Sequence, residues 1–323
     1  MKENIFFRDI VLASGLGLVM LLLVLKPDEY MQATLSGLVI WLNNVLPALF
    51  PFFFFSGLLL KLDIFASFGH KLRPITHYLF HCSGGAGLVF LISIVSGYPV
   101  GAKVTSELYK QRLITQAEVM RINAFASTSG PLFIVGAVGV GMLHSHAIGL
   151  ILLISHYVGA ILNGLLYRNY RYSKADRNIV SVAKADKLLL SDTMYSSIIS
   201  ILLVGGFIVI FFILIKMLFG LGILDVFANI FLHVGIPIDF TQGFLSGVIE
   251  VTTGCKFLGE CSLNRFLIAT IAALIGWGGI SIHAQALTFL SSCGMSIRLF
   301  VLQKFTQGVF SFGVCLVFCC VFV

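Results

Sequence analysis

Apolar residues occur in long blocks that alternate with short polar segments along the chain. A block of about 20 apolar residues can cross the hydrocarbon core of a bilayer as an α-helix. The pattern therefore predicts an all-α membrane protein with about eight transmembrane helices. The predicted spans cover about residues 10–25, 35–60, 122–143, 145–167, 196–219, 221–236, 265–290 and 297–322.

Two further apolar segments, 84–103 and 240–257, are interrupted by small or polar residues. The first is broken at Ser96-Gly-Tyr-Pro99, and the second at Glu250-Val-Thr-Thr-Gly254. Non-helical backbone at membrane depth needs hydrogen-bond partners from the protein or from a water-filled cavity. We therefore predict that each segment is a re-entrant helical hairpin, which enters the membrane and returns to the same side.

The two hairpin segments begin similar successions of elements. Gly101-Ala-Lys103 matches Gly254-Cys-Lys256, and a polar stretch and a broken span follow each of them. With the N-terminus in the cytoplasm, the hairpins enter from opposite sides, which is an inverted repeat. The predicted parts are an N-terminal transmembrane helix (1–34), a first repeat (35–167), a basic cytoplasmic loop (168–192) and a second repeat (193–323).

Basic residues predict the orientation. The segments 61–83, 104–121 and 168–192, interpreted as loops, hold twelve of the 21 lysines and arginines. Lysine and arginine are enriched in cytoplasmic loops of membrane proteins. If both hairpins return to the side they entered from, the three segments lie on the same side of the membrane as the N-terminus. Because their basic residues place them in the cytoplasm, the N-terminus is predicted to be cytoplasmic.

Composition excludes several classes of protein. Hydrophobic residues make up 58% of the chain, charged residues 11%, and mean hydropathy is +1.01. Soluble domains carry about 25% charged residues, so a soluble fold is excluded. The basic residues behind the net charge of +7 are spread over loops between apolar blocks. Lysines and arginines in such loops normally fix membrane topology, which argues against a nucleic-acid partner.

Catalytic and metal-binding motifs are missing from the sequence. The seven cysteines form no CxxC pair and no Cys/His zinc spacing, so no metal site is predicted. Neither HExxH nor paired intramembrane aspartates occur, which leaves Glu250 and His283 as the one plausible acid–base pair. A P-loop is absent as well. We therefore expect no enzymatic activity and no ATP-driven step.

Gly/Pro-interrupted segments at matching positions of two repeats point to a transporter binding site near the bilayer midplane. The N-termini of half-helices carry positive dipole ends that suit anions. Lys103 and Lys256, at equivalent hairpin positions, are predicted to face a common cavity and to favour an anionic solute. The candidate substrate-binding residues are Gly97, Tyr98, Pro99, Gly101, Lys103, Ser127, Thr128, Ser129, Glu250, Thr252, Thr253, Gly254, Lys256, Ser281, His283 and Gln285.

Each candidate also has a structural interpretation. The glycines can serve close helix packing, and the serine, threonine, histidine and glutamine side chains can hydrogen-bond between helices. The two lysines can extend to the membrane interface. Glu250 can neutralise Lys256 or carry a coupling proton or cation. The sequence leaves these alternatives open.

Five motifs resemble the sporulation integral membrane protein YlbJ family. They are Leu46-Pro-Ala-Leu-Phe-Pro-Phe52, Ser96-Gly-Tyr-Pro-Val-Gly-Ala-Lys103, Thr128-Ser-Gly-Pro-Leu-Phe-Ile134, Glu250-Val-Thr-Thr-Gly254 and Gly278-Gly-Ile-Ser-Ile-His-Ala-Gln285. The resemblance extends from about Val45 to the last span. That family shares a nucleoside recognition (gate) domain with concentrative nucleoside transporters, spore maturation proteins and the ferrous iron transporter's membrane domain. It implies a transporter-like fold with paired helical hairpins.

The resemblance also implies a role in moving dipicolinate across the outer forespore membrane during spore formation. The first hypothesis is therefore a secondary transporter of a small organic anion, located in the bacterial cell membrane or the outer forespore membrane. The alternatives are a transporter of a nucleoside or another small solute, and a non-transporting assembly factor of sporulation. The expected partners are the lipid bilayer and the solute. No cofactor is expected, and a coupling proton or sodium ion and a homo-oligomer both stay open.

A cysteine introduced into the loop 168–192 tests the predicted orientation. We expect it to resist a membrane-impermeant maleimide in intact cells and to react once the membrane is opened, because the loop is predicted to be cytoplasmic. The unsubstituted chain, with its seven cysteines, gives the background. Labelling from outside would reverse the orientation.

Overall fold

The structure is a computed structural model that describes residues 2–60, 63–172, 190–233 and 235–322. Helices account for nearly all of the described residues. They are α1 (Lys2–Leu25), α2 (Pro27–Ile40), α3 (Leu46–Leu60), α4 (Asp63–Phe80), α5 (Gly84–Ser96), α6 (Val100–Lys110), α7 (Gln116–Ala126), α8 (His146–Tyr167), α9 (Leu190–Gly220), α10 (Ile223–His233), α11 (Ile238–Ile249), α12 (Val251–Gly259), α13 (Arg265–Trp277), α14 (Gly279–Leu290) and α15 (Ile297–Phe322). Two π-helical segments, Trp41–Val45 and Leu132–Met142, complete the order together with a short 3₁₀ turn, Ser291–Cys293.

The all-helical membrane fold is confirmed. Within the described residues, four helices are long and apolar enough to cross a membrane, or up to six if each of two bent helix pairs forms one span. The four are His146–Tyr167, Leu190–Gly220, Arg265–Cys293 and Ile297–Val321. The layout of eight spans plus two re-entrant hairpins stays a prediction.

Two segments interpreted as loops are largely helical: 104–121 contains the end of α6 and the start of α7, and 61–83 contains α4. The segment 61–83 was expected to be a basic loop, but residues Asp63–Phe80 form α4. This helix is strongly amphipathic, because polar and apolar residues alternate at helical spacing along it. A scan for long apolar blocks overlooks such a helix. Most of the predicted basic loop 168–192 lies outside the described residues.

Helices α5 and α6 form the first hairpin. They run antiparallel, since Gly101 lies opposite Ser93 and Gly85 lies opposite Leu108. Gly97, at the turn, has φ +71°, a backbone conformation that favours glycine, and the Tyr98–Pro99 peptide bond is cis. Both arms continue as regular helix, so the hairpin extends beyond the predicted end at residue 103 to Lys110.

Helices α11 and α12 form the second hairpin, with Glu250 at its tip. Gly243 lies opposite Leu258, and Gly247 lies opposite Gly254. A Cβ atom added at Gly254 would collide with the backbone of Gly247. The two glycines therefore allow the arms to approach at backbone contact distance.

A broken helix follows each hairpin and touches its tip. In the first half, α7 ends at Ala126 and helical structure resumes after Gly130. A Cβ atom at Gly97 would lie 2.5 Å from the nitrogen of Gly130. In the second half, α13 and α14 are separated at Gly278, and a Cβ atom at Gly279 would lie 3.2 Å from the Cα of Glu250. Each hairpin tip thus rests on the helix break of its own half.

Replacing Gly254 with alanine is expected to lower the thermal stability of the purified protein. The new methyl group must push the hairpin arms apart, and such overpacking costs about 1–3 kcal/mol. The measurement is the unfolding temperature in detergent.

Gly206→Ala is the matched control, since a Cβ atom there meets nothing within 4 Å. In α9 this change should leave stability unchanged or raise it slightly, because alanine favours helix over glycine. Equal unfolding temperatures for the two variants would contradict the close approach of the arms.

Candidate functional site

Three cavities follow one another along α9. A central cavity of about 40 Å³ contacts Val204 and Ile208 in the middle of the helix. The serine vestibule, of about 320 Å³, contacts the first turns of α9 between Asp192 and Ser200. The acidic vestibule, of about 640 Å³, contacts the last turns of α9 at Lys216 and Phe219. From Asp192 to Phe219, at 1.5 Å per residue, the file of cavities extends over roughly 40 Å, about the thickness of a bilayer with its headgroup regions.

The central cavity lies where the two hairpin tips meet. Gly97 and Tyr98 reach it from the first tip, and Glu250 and Thr252 from the second. The two broken helices also contribute to its wall. Its polar lining is Ser96, Tyr98, Ser129, Glu250, Thr252 and Gln285. Ser96 lines the serine vestibule as well, so these two cavities are neighbours.

Glu250 caps the N-terminus of α12. Its carboxylate oxygens accept hydrogen bonds from Thr252 N–H at 3.0 Å and from Thr253 N–H at 2.6 Å. The Thr253 hydroxyl adds a third at 2.7 Å. The positive end of the helix dipole stabilises this buried carboxylate. The N-terminus of α12 therefore already holds an anion from the protein itself.

The backbone N–H groups at the first helix break also have partners within the protein. Thr128 N–H donates to Ser93 Oγ at 3.2 Å, and Ser129 N–H donates to His156 Nε2 at 2.9 Å. Buried backbone groups at membrane depth are costly without such bonds. In this conformation these donors are used internally, so they do not present a ready anion site to the cavity.

A buried cation beside this cavity, Lys304, was not among the residues predicted from the sequence. Lys304 on α15 is fully buried, and its ammonium group donates to Tyr98 Oη at 2.5 Å, to the Ser127 carbonyl at 2.9 Å and to Gln307 Oε1 at 2.8 Å. The nitrogen also lies 4.7 Å from the centre of the Tyr98 ring. The available signal was a lysine between two glutamines, at 303 and 307, inside an apolar span, where an ionisable residue suggests function.

Side-chain hydrogen bonds attach α15 to its neighbours next to Lys304. Gln303 donates to the Met120 carbonyl at 2.8 Å and accepts from Asn123 at 2.8 Å. Asn163 on α8 donates to the Ala124 carbonyl at 2.7 Å and to the Gln303 carbonyl at 3.0 Å. These bonds fix α8 and α15 against α7, and they hold Lys304 at the helix break.

The predicted site residues separate into three groups. Six contribute to the wall of the central cavity: Gly97, Tyr98, Ser129, Glu250, Thr252 and Gln285. Eight lie at the tips, in the arms or at the breaks without lining it: Pro99, Gly101, Ser127, Thr128, Thr253, Gly254, Ser281 and His283. The remaining two are the lysines.

The two lysines do not meet in a common cavity in this structure. Lys103 lines the serine vestibule. Lys256 lines none of the central cavity, the serine vestibule and the acidic vestibule. Both lie on the second arms of their hairpins, beyond the tips. The hairpin arms carry them away from the point where the tips converge.

Comparison with known proteins gives two matches. Residues 42–146 match the family model described as Gate, nucleoside recognition, a stretch that contains the first hairpin and the first helix break. The chain is 29% identical over 311 residues to the sporulation integral membrane protein YlbJ of Bacillus subtilis (strain 168), covering 88% of this chain and 76% of that protein. No solved structure matches the chain.

Glu250→Gln is expected to destabilise the protein. An amide retains one acceptor oxygen for three donors and loses the charge that the helix dipole favours, at a cost of about 1–2 kcal/mol. Thermal unfolding in detergent measures the effect. The control is Glu260→Gln, since this exposed glutamate follows the other end of the same helix and should tolerate the change. Similar unfolding temperatures for both variants would rule out the capping role.

Proposed function

Because this chain belongs to the YlbJ family of integral membrane proteins, we propose that it is a secondary transporter of a small organic solute. The central cavity is then the solute site, and the two vestibules are its routes to the two sides of the membrane. The observation that carries the proposal is the row of three cavities along α9, in which both hairpin tips line the smallest, central cavity.

The size of the central cavity indicates a closed conformation. About 40 Å³ is room for one or a few water molecules, whereas small-molecule sites occupy about 300–1,000 Å³. A solute therefore enters only if a hairpin tip moves. Such a movement opens the cavity to one vestibule at a time, which is the requirement of alternating access.

The charged residues that line the three cavities indicate which kind of solute the protein favours. The serine vestibule has one lysine against two acidic residues, Glu107 and Asp192. The acidic vestibule has one lysine against three, Asp225, Asp239 and Glu260. Glu250 adds a carboxylate at the centre. Vestibules of one sign raise the local concentration of solutes of the opposite sign, so these charges favour a neutral or cationic solute over a dianion.

Dipicolinate is the second candidate, and two observations favour it. The relative in Bacillus subtilis is named as a sporulation protein. Lys304 places an ammonium group behind Tyr98, and it can pair with a carboxylate if the first hairpin tip moves. Lys103 and Lys256, the original basis for an anionic solute, do not support this hypothesis jointly, because they do not share a cavity.

The proposal is transport without chemical conversion of the solute. It places the protein in the bacterial cell membrane, or in the outer forespore membrane if dipicolinate is the solute, with a cytoplasmic N-terminus. A non-transporting role in sporulation membrane assembly is the competing hypothesis. It requires that central-cavity variants leave the biological phenotype intact.

Ligand-dependent thermal stability of the purified protein tests the proposal, with dipicolinate, a nucleoside panel and organic cations as probes. A ligand that binds only the folded state adds about 2.7 kcal/mol of stability at a hundredfold excess over Kd. We expect one probe class to stabilise the protein. The same probe should then enter proteoliposomes that contain the protein.

Gln285→Met, in the wall of the central cavity, should abolish most of this stabilisation, since it removes the polar group and keeps the volume. Lys256→Met is the control and should leave it intact. Saturable dipicolinate binding would establish the dianion, and a nucleoside response a neutral solute. No binding and no uptake of any probe, with a phenotype insensitive to Gln285→Met, would favour the assembly role.

A further inference from the structure

Lys304 is a buried cation without an acidic partner among the described residues. Its ammonium group connects three elements: the first hairpin tip through Tyr98, the first helix break through the Ser127 carbonyl, and α15 itself through Gln307. Tyr98 lines the central cavity. The lysine is therefore the residue that attaches the closing hairpin tip to the helix behind it.

We propose that Lys304 is the coupling site of the transporter: it binds a proton, and the protonated side chain holds the first hairpin tip closed over the central cavity. The inference rests on the proposed function and deepens it, since it names the coupling ion. Proton release loosens the tip, and the central cavity then opens towards the serine vestibule, which it adjoins at Ser96.

The three oxygen partners of Lys304 match the three donors of the protonated form. An ammonium group has three N–H donors and no acceptor, and Lys304 has three oxygen partners. Charge-assisted bonds are about twice as strong as neutral ones, and the contact with the Tyr98 ring requires the positive charge. A neutral amine loses both advantages, so its hold on Tyr98 is weaker.

The same burial makes the proton exchangeable. Enclosing a charge away from water costs several kcal/mol unless an ion pair offsets it, and the described structure provides no carboxylate for Lys304. The ammonium depends on its three oxygen partners and one aromatic ring. Moving one of these partners tips the balance towards the neutral amine, so tip position and proton occupancy are linked.

Other titratable groups near Lys304 are fixed by their own hydrogen bonds. His156 on α8 and His283 on α14 lie within electrostatic range of Lys304. His156 Nε2 accepts from Ser129 N–H, and His283 Nε2 donates to the Trp277 carbonyl at 2.9 Å. Glu250, on the far hairpin tip, uses both carboxylate oxygens as acceptors. A change of protonation at His156 or Glu250 would break a bond to the backbone, whereas at Lys304 it changes only bonds between movable groups and one carbonyl.

Among the described residues, no cation holds the second hairpin tip in a comparable way. Its position depends on the Glu250 cap and on the bond from Trp277 Nε1–H to the Val248 carbonyl at 2.9 Å. The first hairpin is therefore the element that loss of a proton can release. Sodium is not needed at this position, because the ammonium group already bridges the first tip and the first break.

Spin labelling tests the proton site without any solute. Cys261 and Cys320, the two described cysteines that are not buried, are replaced by serine, and a nitroxide is attached at Val104→Cys, which lines the serine vestibule. Its mobility is recorded in detergent from about pH 5 to about pH 10, a range in which a buried lysine can titrate. We expect one transition, with the label more mobile at high pH.

Variants separate the lysine from other causes. Lys304→Arg should keep the label immobile throughout, because a guanidinium stays charged. Lys304→Met should keep it mobile throughout, and Lys256→Met should retain the parent transition. A parent without a transition, or a Lys304→Arg variant that titrates like the parent, would overturn the proposal. A transition that follows sodium instead of pH would overturn it too.

Tyr98→Phe covers the case in which the Lys304 variants do not fold. It preserves every charge but removes the hydroxyl through which the ammonium group holds the first hairpin tip, so the label should be mobile at every pH, as in Lys304→Met. A Tyr98→Phe variant that keeps the parent transition would contradict the proposal. Solute uptake is measured separately: a pH transition without uptake would refute the transporter, and uptake that is indifferent to a proton gradient would refute the coupling.

Discussion

Backbone N–H and C=O groups at membrane depth must find partners inside the protein, and this constraint governs the arrangement around the two helix breaks. Each break frees groups that a continuous helix would have paired with one another. Ser93, His156 and Lys304 provide partners at the first break, and Glu250 does so at the second hairpin tip. The three side chains at the first break come from α5, α8 and α15, so this break also holds these helices together.

The partners differ in how easily they can be withdrawn. Glu250 belongs to the hairpin whose backbone it caps, so the cap moves with the second tip as one body. Lys304 belongs to α15 and reaches across to Tyr98 and Ser127, so the first tip can separate from it. Both halves thus consist of a hairpin whose tip contacts a helix break, and they differ in the side chain that holds the tip in place.

The site has one buried charged side chain near each hairpin tip. One buried carboxylate lies at the second tip, and one buried ammonium lies behind the first, and each is stabilised by hydrogen bonds from its own surroundings instead of by the other. The serine and acidic vestibules carry an excess of acidic residues. The central cavity is therefore closed by polar contacts between protein groups.

Local patterns determined the class of the protein and located the interruptions at both hairpin turns and both breaks, because hydropathy and the glycine, proline and serine positions act over a few residues. They also singled out Tyr98, Ser129, Glu250 and Gln285, four residues that line the central cavity. Local patterns missed α4, whose polar residues hid a helix. They favoured Lys103 and Lys256 over Lys304. Only the tertiary structure decided which lysine reaches the tip, because that depends on how α15 packs against α7 and α8, far apart in the chain.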